Sequence, residues 1–179
     1  MSAMIERRLL CTMATLSLGY LAVVSPASAQ VSSARTADGA TFRPETFFLG
    51  HTEGTGRLKI MFRRRRVVQV HGNGRIDQSG ALVLDQEVDD AHGRLKHREW
   101  KMRSMGGGRY AATLSDATGP VVGTVEGNTL RLAFPAKGGL RIRQMLVLSS
   151  DGRSARNRLT IRKMGIVVAK LYETITRAD

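Results

Sequence analysis

The sequence predicts an all-β fold, a single antiparallel meander that closes on itself. Two observations carry this. Between residues 52 and 176, short runs alternate apolar with polar side chains, as strands with one buried face require, and each run ends on a Gly, Asn or Asp turn signal. No long stretch repeats at helical spacing. Roughly eight to ten strands at this regular spacing suit a sandwich or a barrel. An open sheet of that size leaves edges to protect, and closure into a barrel removes them.

The chain begins with a different pattern. Residues 1–29 are organised as a cleaved signal helix for secretion: Arg7 and Arg8, an apolar run over 9–24, then small residues ending in Ala27-Ser28-Ala29. A membrane span needs roughly 20 predominantly apolar residues, and this run is shorter and carries Thr12, Thr15, Ser17 and Gly19. Cleavage is therefore expected before Gln30. Arg7-Arg8 matches a twin-arginine signal only in part, which favours the general secretory route. Cys11, the only cysteine, leaves with the signal, so the mature chain has neither disulfide nor thiol ligand. Leu10 precedes it where lipidation would require a small residue. Residues 30–43 are polar and aperiodic, a flexible leader. The roughly 150 residues left after cleavage suffice for one domain with its own core, and the barrel takes residues 44–179.

Within that domain each element has its own signature. Pro44-Glu45-Thr46 opens a short helical turn bearing Phe47 and Phe48, a plug for one end of the barrel. Leu58, Ile60 and Phe62 then share the inner face of a first strand, against Arg57 and Lys59, and Arg63, Arg64, Arg65 and Arg66 decorate the following hairpin. Val68, Val70 and Ile76 continue in register around Gly72 and Gly74, where a bend is inexpensive. After Ser79-Gly80, the residues Leu82, Leu84, Gln86 and Val88 share a face, as do Arg98, Trp100 and Met102 in a strand over 94–103. Gly106-Gly107-Gly108 turns into Tyr110, Ala112 and Leu114, Gly119-Pro120 marks a break, and Gly127-Asn128 joins strands over 121–125 and 130–134. Gly138-Gly139 opens a long strand with Leu140, Ile142, Gln144, Leu146 and Leu148 inward and Arg141 and Arg143 outward. Asp151-Gly152 and Gly165 bound the last two strands, of which the final one ends near Ile175.

The formal net charge of +13 loses one unit with the signal, which carries Arg7 and Arg8 against Glu6. Such an excess favours anionic partners. Export makes nucleic acid a poor partner and acidic lipid headgroups or lipopolysaccharide phosphates better ones. Arginines opposite the apolar stripes keep a barrel soluble. Where the stripes converge they also form a landing surface that salt weakens, with Arg63, Arg64, Arg65, Arg66, Arg141 and Arg143 as candidates. No amphipathic helix supplies an apolar insertion element, so contact at the membrane surface is expected rather than embedding.

The motifs Phe47-Phe48-Leu49-Gly50, Glu53-Gly54-Thr55-Gly56, Leu84-Asp85-Gln86, Arg98-Glu99-Trp100, Gly108-Arg109-Tyr110, Gly127-Asn128-Thr129-Leu130 and Lys163-Met164-Gly165, in this order and spacing, resemble the bacterial domain of unknown function family 3833. The resemblance runs from about Phe42 to the end of the chain. It implies a lipocalin-like, or calycin, barrel and no settled activity. It also implies an association with membrane fatty-acid chemistry and with envelope lipoproteins. The sequence departs from the family pattern at Thr55, where an aromatic is common, at Gln86, where Glu is common, and at Arg143-Gln144-Met145, where an acidic, Trp-containing stretch is common.

Inward parity makes Gln86, Arg98, Trp100, Met102, Tyr110 and Gln144 the candidates for lining a ligand cavity, with Asn157 on weaker grounds. Arg98 can pair a carboxylate or phosphate, or act structurally by stacking and by satisfying protein acceptors. Gln86 and Gln144 can orient a headgroup or satisfy each other, the backbone or water. His51, His71, His92 and His97 are dispersed, and no nucleophile elbow or phosphate-cradling loop is present. No catalytic residue, metal or cofactor is therefore expected. The leading expectation is a monomeric, noncatalytic, periplasmic barrel that binds a lipid or other apolar molecule and touches an anionic membrane. An isomerase- or hydratase-type enzyme using Arg98, Gln86 or Gln144 is one alternative, and a fully packed structural envelope protein is the other.

Overall fold

The computed structural model describes residues 40–89 and 95–178; the expected signal, most of the leader and His92 lie outside them. A short helix α1 (Pro44–Phe47) precedes ten strands: β1 (Gly50–Ile60), β2 (Arg66–Ile76), β3 (Leu82–Asp89), β4 (Leu95–Ser104), β5 (Arg109–Leu114), β6 (Val121–Glu126), β7 (Thr129–Ala136), β8 (Leu140–Leu148), β9 (Ser154–Lys163) and β10 (Ile166–Ala178). Every strand pairs antiparallel with its neighbours in sequence, and β10 returns to β1 with Gly54 opposite Ile175 and Leu58 opposite Leu171. The result is the closed antiparallel barrel expected from alternation, with no unpaired sheet edge.

The two ends of the barrel differ. At the end where β1 begins, the inward positions are fully buried and α1 closes the opening. Phe47 and Phe48 meet edge-to-face with centroids 4.9 Å apart, and Phe42 packs on Phe47 at 5.3 Å. Burying each aromatic side chain stabilises the fold by about 1.5–3 kcal/mol. Phe42 is only 1 % exposed, and its N–H donates to the Gly127 carbonyl at 2.9 Å. Phe42 thus adds a third ring to the plug from just ahead of α1. Gly74 makes room for the plug: a Cβ there would collide with the Phe48 carbonyl.

Along the strands toward the other end, inward side chains pass from buried to half-exposed. On β8, Leu146 and Leu148 are buried while Ile142 and Gln144 are half-buried; on β9, Ala155 and Asn157 are buried while Leu159 and Ile161 are half-buried. The barrel therefore opens at the end carrying the β1–β2 and β9–β10 turns. One inward prediction fails here. Phe62 lies beyond β1, in a turn with φ of 61° and 96 % exposure, because alternation read without the turn extends the strand two residues too far. Ile76, also expected inside, is exposed at the last position of β2.

Candidate functional site

The barrel encloses a cavity of about 200 Å³. Its wall is mostly aliphatic, with Leu82, Leu84 and Met102 from β3 and β4, Leu132 from β7, Ile142 and Leu146 from β8, and Ile175 from β10. Trp100 and Phe134 add an edge-to-face aromatic pair, centroids 5.6 Å apart. Of the sequence-selected candidates, Gln86, Arg98, Trp100, Met102 and Gln144 line this cavity. Tyr110 does not. It is half-buried with the expected parity, but its hydroxyl donates to Glu45 Oε2 of α1 at 3.2 Å and so fastens the plug. Burial and the neighbouring carboxylate raise the Tyr110 pKa, which keeps that donor protonated. Leu130, inward on β7, is buried in the core and does not line the cavity.

Polar groups gather on two opposite arcs of the wall. On β3–β5, Trp100 Nε1–H donates to Gln86 Oε1 at 2.9 Å, so one amide oxygen is committed to the protein. Arg98 lies opposite Gln86 in register, and its Nε comes within 2.8 Å of Asp116 Oδ2. It is an ion pair without the alignment of a hydrogen bond, so the buried Arg98 Nε–H has a charge partner but no hydrogen-bond acceptor. Asp116, in the turn after β5, lines the cavity near its mouth with Lys96.

The other arc holds a group that sequence parity had not brought out. On β10 the inward series is Ala169, Leu171, Glu173 and Ile175, so Glu173 is a lone acid on an apolar stripe. It lies opposite Gly56 on one side and Asn157 on the other. The glycines create its space: a Cβ at Gly54 would run into Glu173 Oε1, and one at Gly56 would lie 2.9 Å from Glu173 Cβ. Glu173 is 8 % exposed, and Asn157 Nδ2 donates to its Oε2 at 2.7 Å. Glu173 Oε1 and Asn157 Oδ1 are buried with no hydrogen-bond partner among the described residues.

Burial raises the Glu173 pKa, against the weaker opposing effects of the Asn157 amide and the Arg98 charge. In the neutral acid, the carboxyl adds an O–H donor to a pair that still has an acceptor in Asn157 Oδ1. Two unmet polar atoms in an apolar wall cost about 1–3 kcal/mol each if nothing satisfies them, and a water or a ligand polar group in the cavity removes that cost. The chemistry suits a hydroxyl, carboxylic acid or amide on an otherwise apolar molecule.

The described histidines lie elsewhere. His71 and His97 flank Glu87 across β2, β3 and β4 on the outer wall, with His97 Nδ1 3.6 Å from Glu87 Oε1. Among the described residues no three His, Cys, Asp or Glu side chains are grouped as metal ligands. The cations Arg63, Arg64, Arg65, Arg141 and Arg143 are exposed and point away from the cavity, with Arg66 partly covered at the start of β2.

Solved structures share this architecture at low sequence identity. An S-type phycobiliprotein lyase from Guillardia theta superposes with a TM-score of 0.62 at 7% identity, covering 75% of this chain and 90% of that one. A protein of the DUF3598 family, of unknown function, from Nostoc punctiforme gives 0.60 at 12%, covering 78% of this chain and 50% of that one. Rv2717c from M. tuberculosis gives 0.58 at 17%, covering 77% and 99%. At these identities the likeness is one of fold. No curated protein matched the sequence. The family described as "Protein of unknown function (DUF3833)" matches residues 20–177, and the chain belongs to that family.

Proposed function

We propose that this protein is an exported, monomeric binding barrel of the periplasm that holds a small, mostly apolar molecule bearing one polar head. The buried Glu173–Asn157 pair in the cavity wall is the observation that carries this reading, because two of its oxygens have no hydrogen-bond partner among the described residues. A cavity of about 200 Å³ is smaller than the roughly 300–1,000 Å³ that encloses drug-sized ligands. It suits a compact molecule, or one end of a longer lipid whose remainder leaves through the mouth. Arg98 near the mouth adds attraction for a carboxylate or phosphate.

Trp100, the only tryptophan, lines the cavity and reports on its contents. Titration with octanoic acid, octanol and octane should change Trp100 emission most strongly with the first two. Asn157→Leu should weaken octanol binding by about tenfold, the equivalent of the hydrogen bonding removed. Emission unmoved by all three probes would count against a ligand cavity. A response to octane equal to that for octanol would remove the polar pair from recognition.

A second reading is favoured by the same carboxyl. A buried acid with a raised pKa inside an apolar cavity has the character of a general acid or base, as lipid-modifying chemistry of the isomerase or hydratase type would need. Release of a chemically altered lipid by the unchanged protein, and of unaltered lipid by Glu173→Gln, would favour this enzyme over the carrier.

A further inference from the structure

The open end of the barrel carries two turns whose backbone and side chains are at odds with a surface made only for water. In the β1–β2 turn, Arg63 N–H donates to the Ile60 carbonyl at 3.1 Å, and Phe62 occupies the third position with φ of 61°. A turn with positive φ at that position normally uses Gly. In the β9–β10 turn, Met164 and Gly165 have φ of 47° and 84°, a geometry whose first position normally takes Asn, Asp or Gly. Both turns thus hold a large apolar residue in the left-handed region, where its backbone is strained. Neither side chain gains packing in return, since Phe62 is 96 % and Met164 91 % exposed. The turns are neighbours, because β1 pairs with β10 and Met61 N–H donates to the Val168 carbonyl at 2.9 Å. Met61 and Ile166 beside them are exposed as well.

Three of the hairpins at this end carry charge of one sign, while Asp89 at the end of β3 and Asp116 after β5 bring acids to it. The sequence has no acidic residue between Glu53 and Asp77, between Glu126 and Asp151, or between Asp151 and Glu173. The hairpins formed by β1–β2, β7–β8 and β9–β10 therefore meet the open end with arginine and lysine only. Arg141 and Arg162 even stand directly opposite each other across β8 and β9, an arrangement that is unfavourable without an anionic partner.

We propose that the open end docks on an anionic lipid bilayer, with Phe62 and Met164 inserted among the acyl chains and the flanking cations on the headgroups. Strained apolar tips supply the insertion that no helix of the described residues offers, and the basic arc supplies attraction and orientation. Docked this way, the mouth of the cavity faces the lipid. The proposal does not depend on what the cavity holds.

The test uses the full chain as processed by its own cells, so that any N-terminal attachment is common to every variant. Vesicles of phosphatidylglycerol and phosphatidylcholine are compared with phosphatidylcholine alone. Phe62→Ser with Met164→Ser should weaken binding to the anionic vesicles by roughly tenfold or more, with an unchanged circular dichroism spectrum, and added salt should weaken the unaltered chain further. In Phe62→Trp, emission should shift to shorter wavelength on the anionic vesicles and be quenched by brominated acyl chains, whereas buried Trp100 alone should respond weakly. Equal vesicle binding with and without the tip side chains, or a tip tryptophan that brominated lipid does not quench, would overturn the proposal. Concentration-dependent dimers that the double variant abolishes, with vesicle binding unaffected, would instead assign the tips to contact between copies of the chain.

Discussion

Glu173 combines an apolar strand face, two glycines that make its space and one amide partner, and its consequence for stability has a definite sign. Its ordinary pKa is 4.5, and burial raises that value in the folded protein. Below 4.5 the carboxyl is protonated in both folded and unfolded chains and costs nothing. As pH rises past 4.5 the unfolded chain ionises while the folded one resists, so the folded state binds more protons and loses stability until pH passes the raised value. Glu173→Gln keeps an acceptor for Asn157 Nδ2 and removes the charge. Its melting temperature should match that of the unaltered protein near about pH 4 and exceed it progressively toward neutral and alkaline pH. Thermal melts across that range check this; a constant difference would mean that Glu173 ionises in the fold as freely as outside it, and a reversed one that it ionises more readily there.

At the scale of elements, α1 matters more than its four residues suggest. It carries Phe47 and Phe48 into the end of the barrel, is held to β5 by the Tyr110–Glu45 hydrogen bond, and rests against the bare backbone of Gly74. Phe47→Ala removes the ring that touches both of its aromatic neighbours and should cost about 3–5 kcal/mol, measured by equilibrium denaturation. A loss below about 1 kcal/mol would show the plug to be a loosely attached cover. The hairpin turns at the opposite end behave differently, since Phe62 and Met164 contribute exposed surface and backbone strain rather than packing.

For the whole molecule, the strand pattern and its inward faces were legible because a period of two is imposed locally by the pleat. The inward parity of Arg98, Trp100 and Met102 on β4, and of Gln144 on β8, follows from that alone. Other features depend on residues far apart in the chain. Tyr110 was read as a cavity residue because its partner Glu45 lies 65 positions away. Phe62 was read as part of a strand because alternation continues through a turn that only the backbone reveals. The role of Glu173 is not legible from the strand alone because it rests on the β10–β1 closure, which sets it over Gly54 and Gly56. A lone acid sharing the parity of Leu171 and Ile175 was nevertheless visible as a signal.

Closure also gives the barrel two unlike ends, one sealed by phenylalanines and one open amid apolar tips and cations, with the polar pair set in the wall between them. Native mass spectrometry of the protein released gently from its own cells tests most directly whether that interior is a binding site. A small apolar molecule should travel with the barrel in one-to-one stoichiometry, and Asn157→Leu should abolish or sharply reduce its retention. An empty protein that also leaves Trp100 emission unchanged when offered octanoic acid or octanol would contradict it.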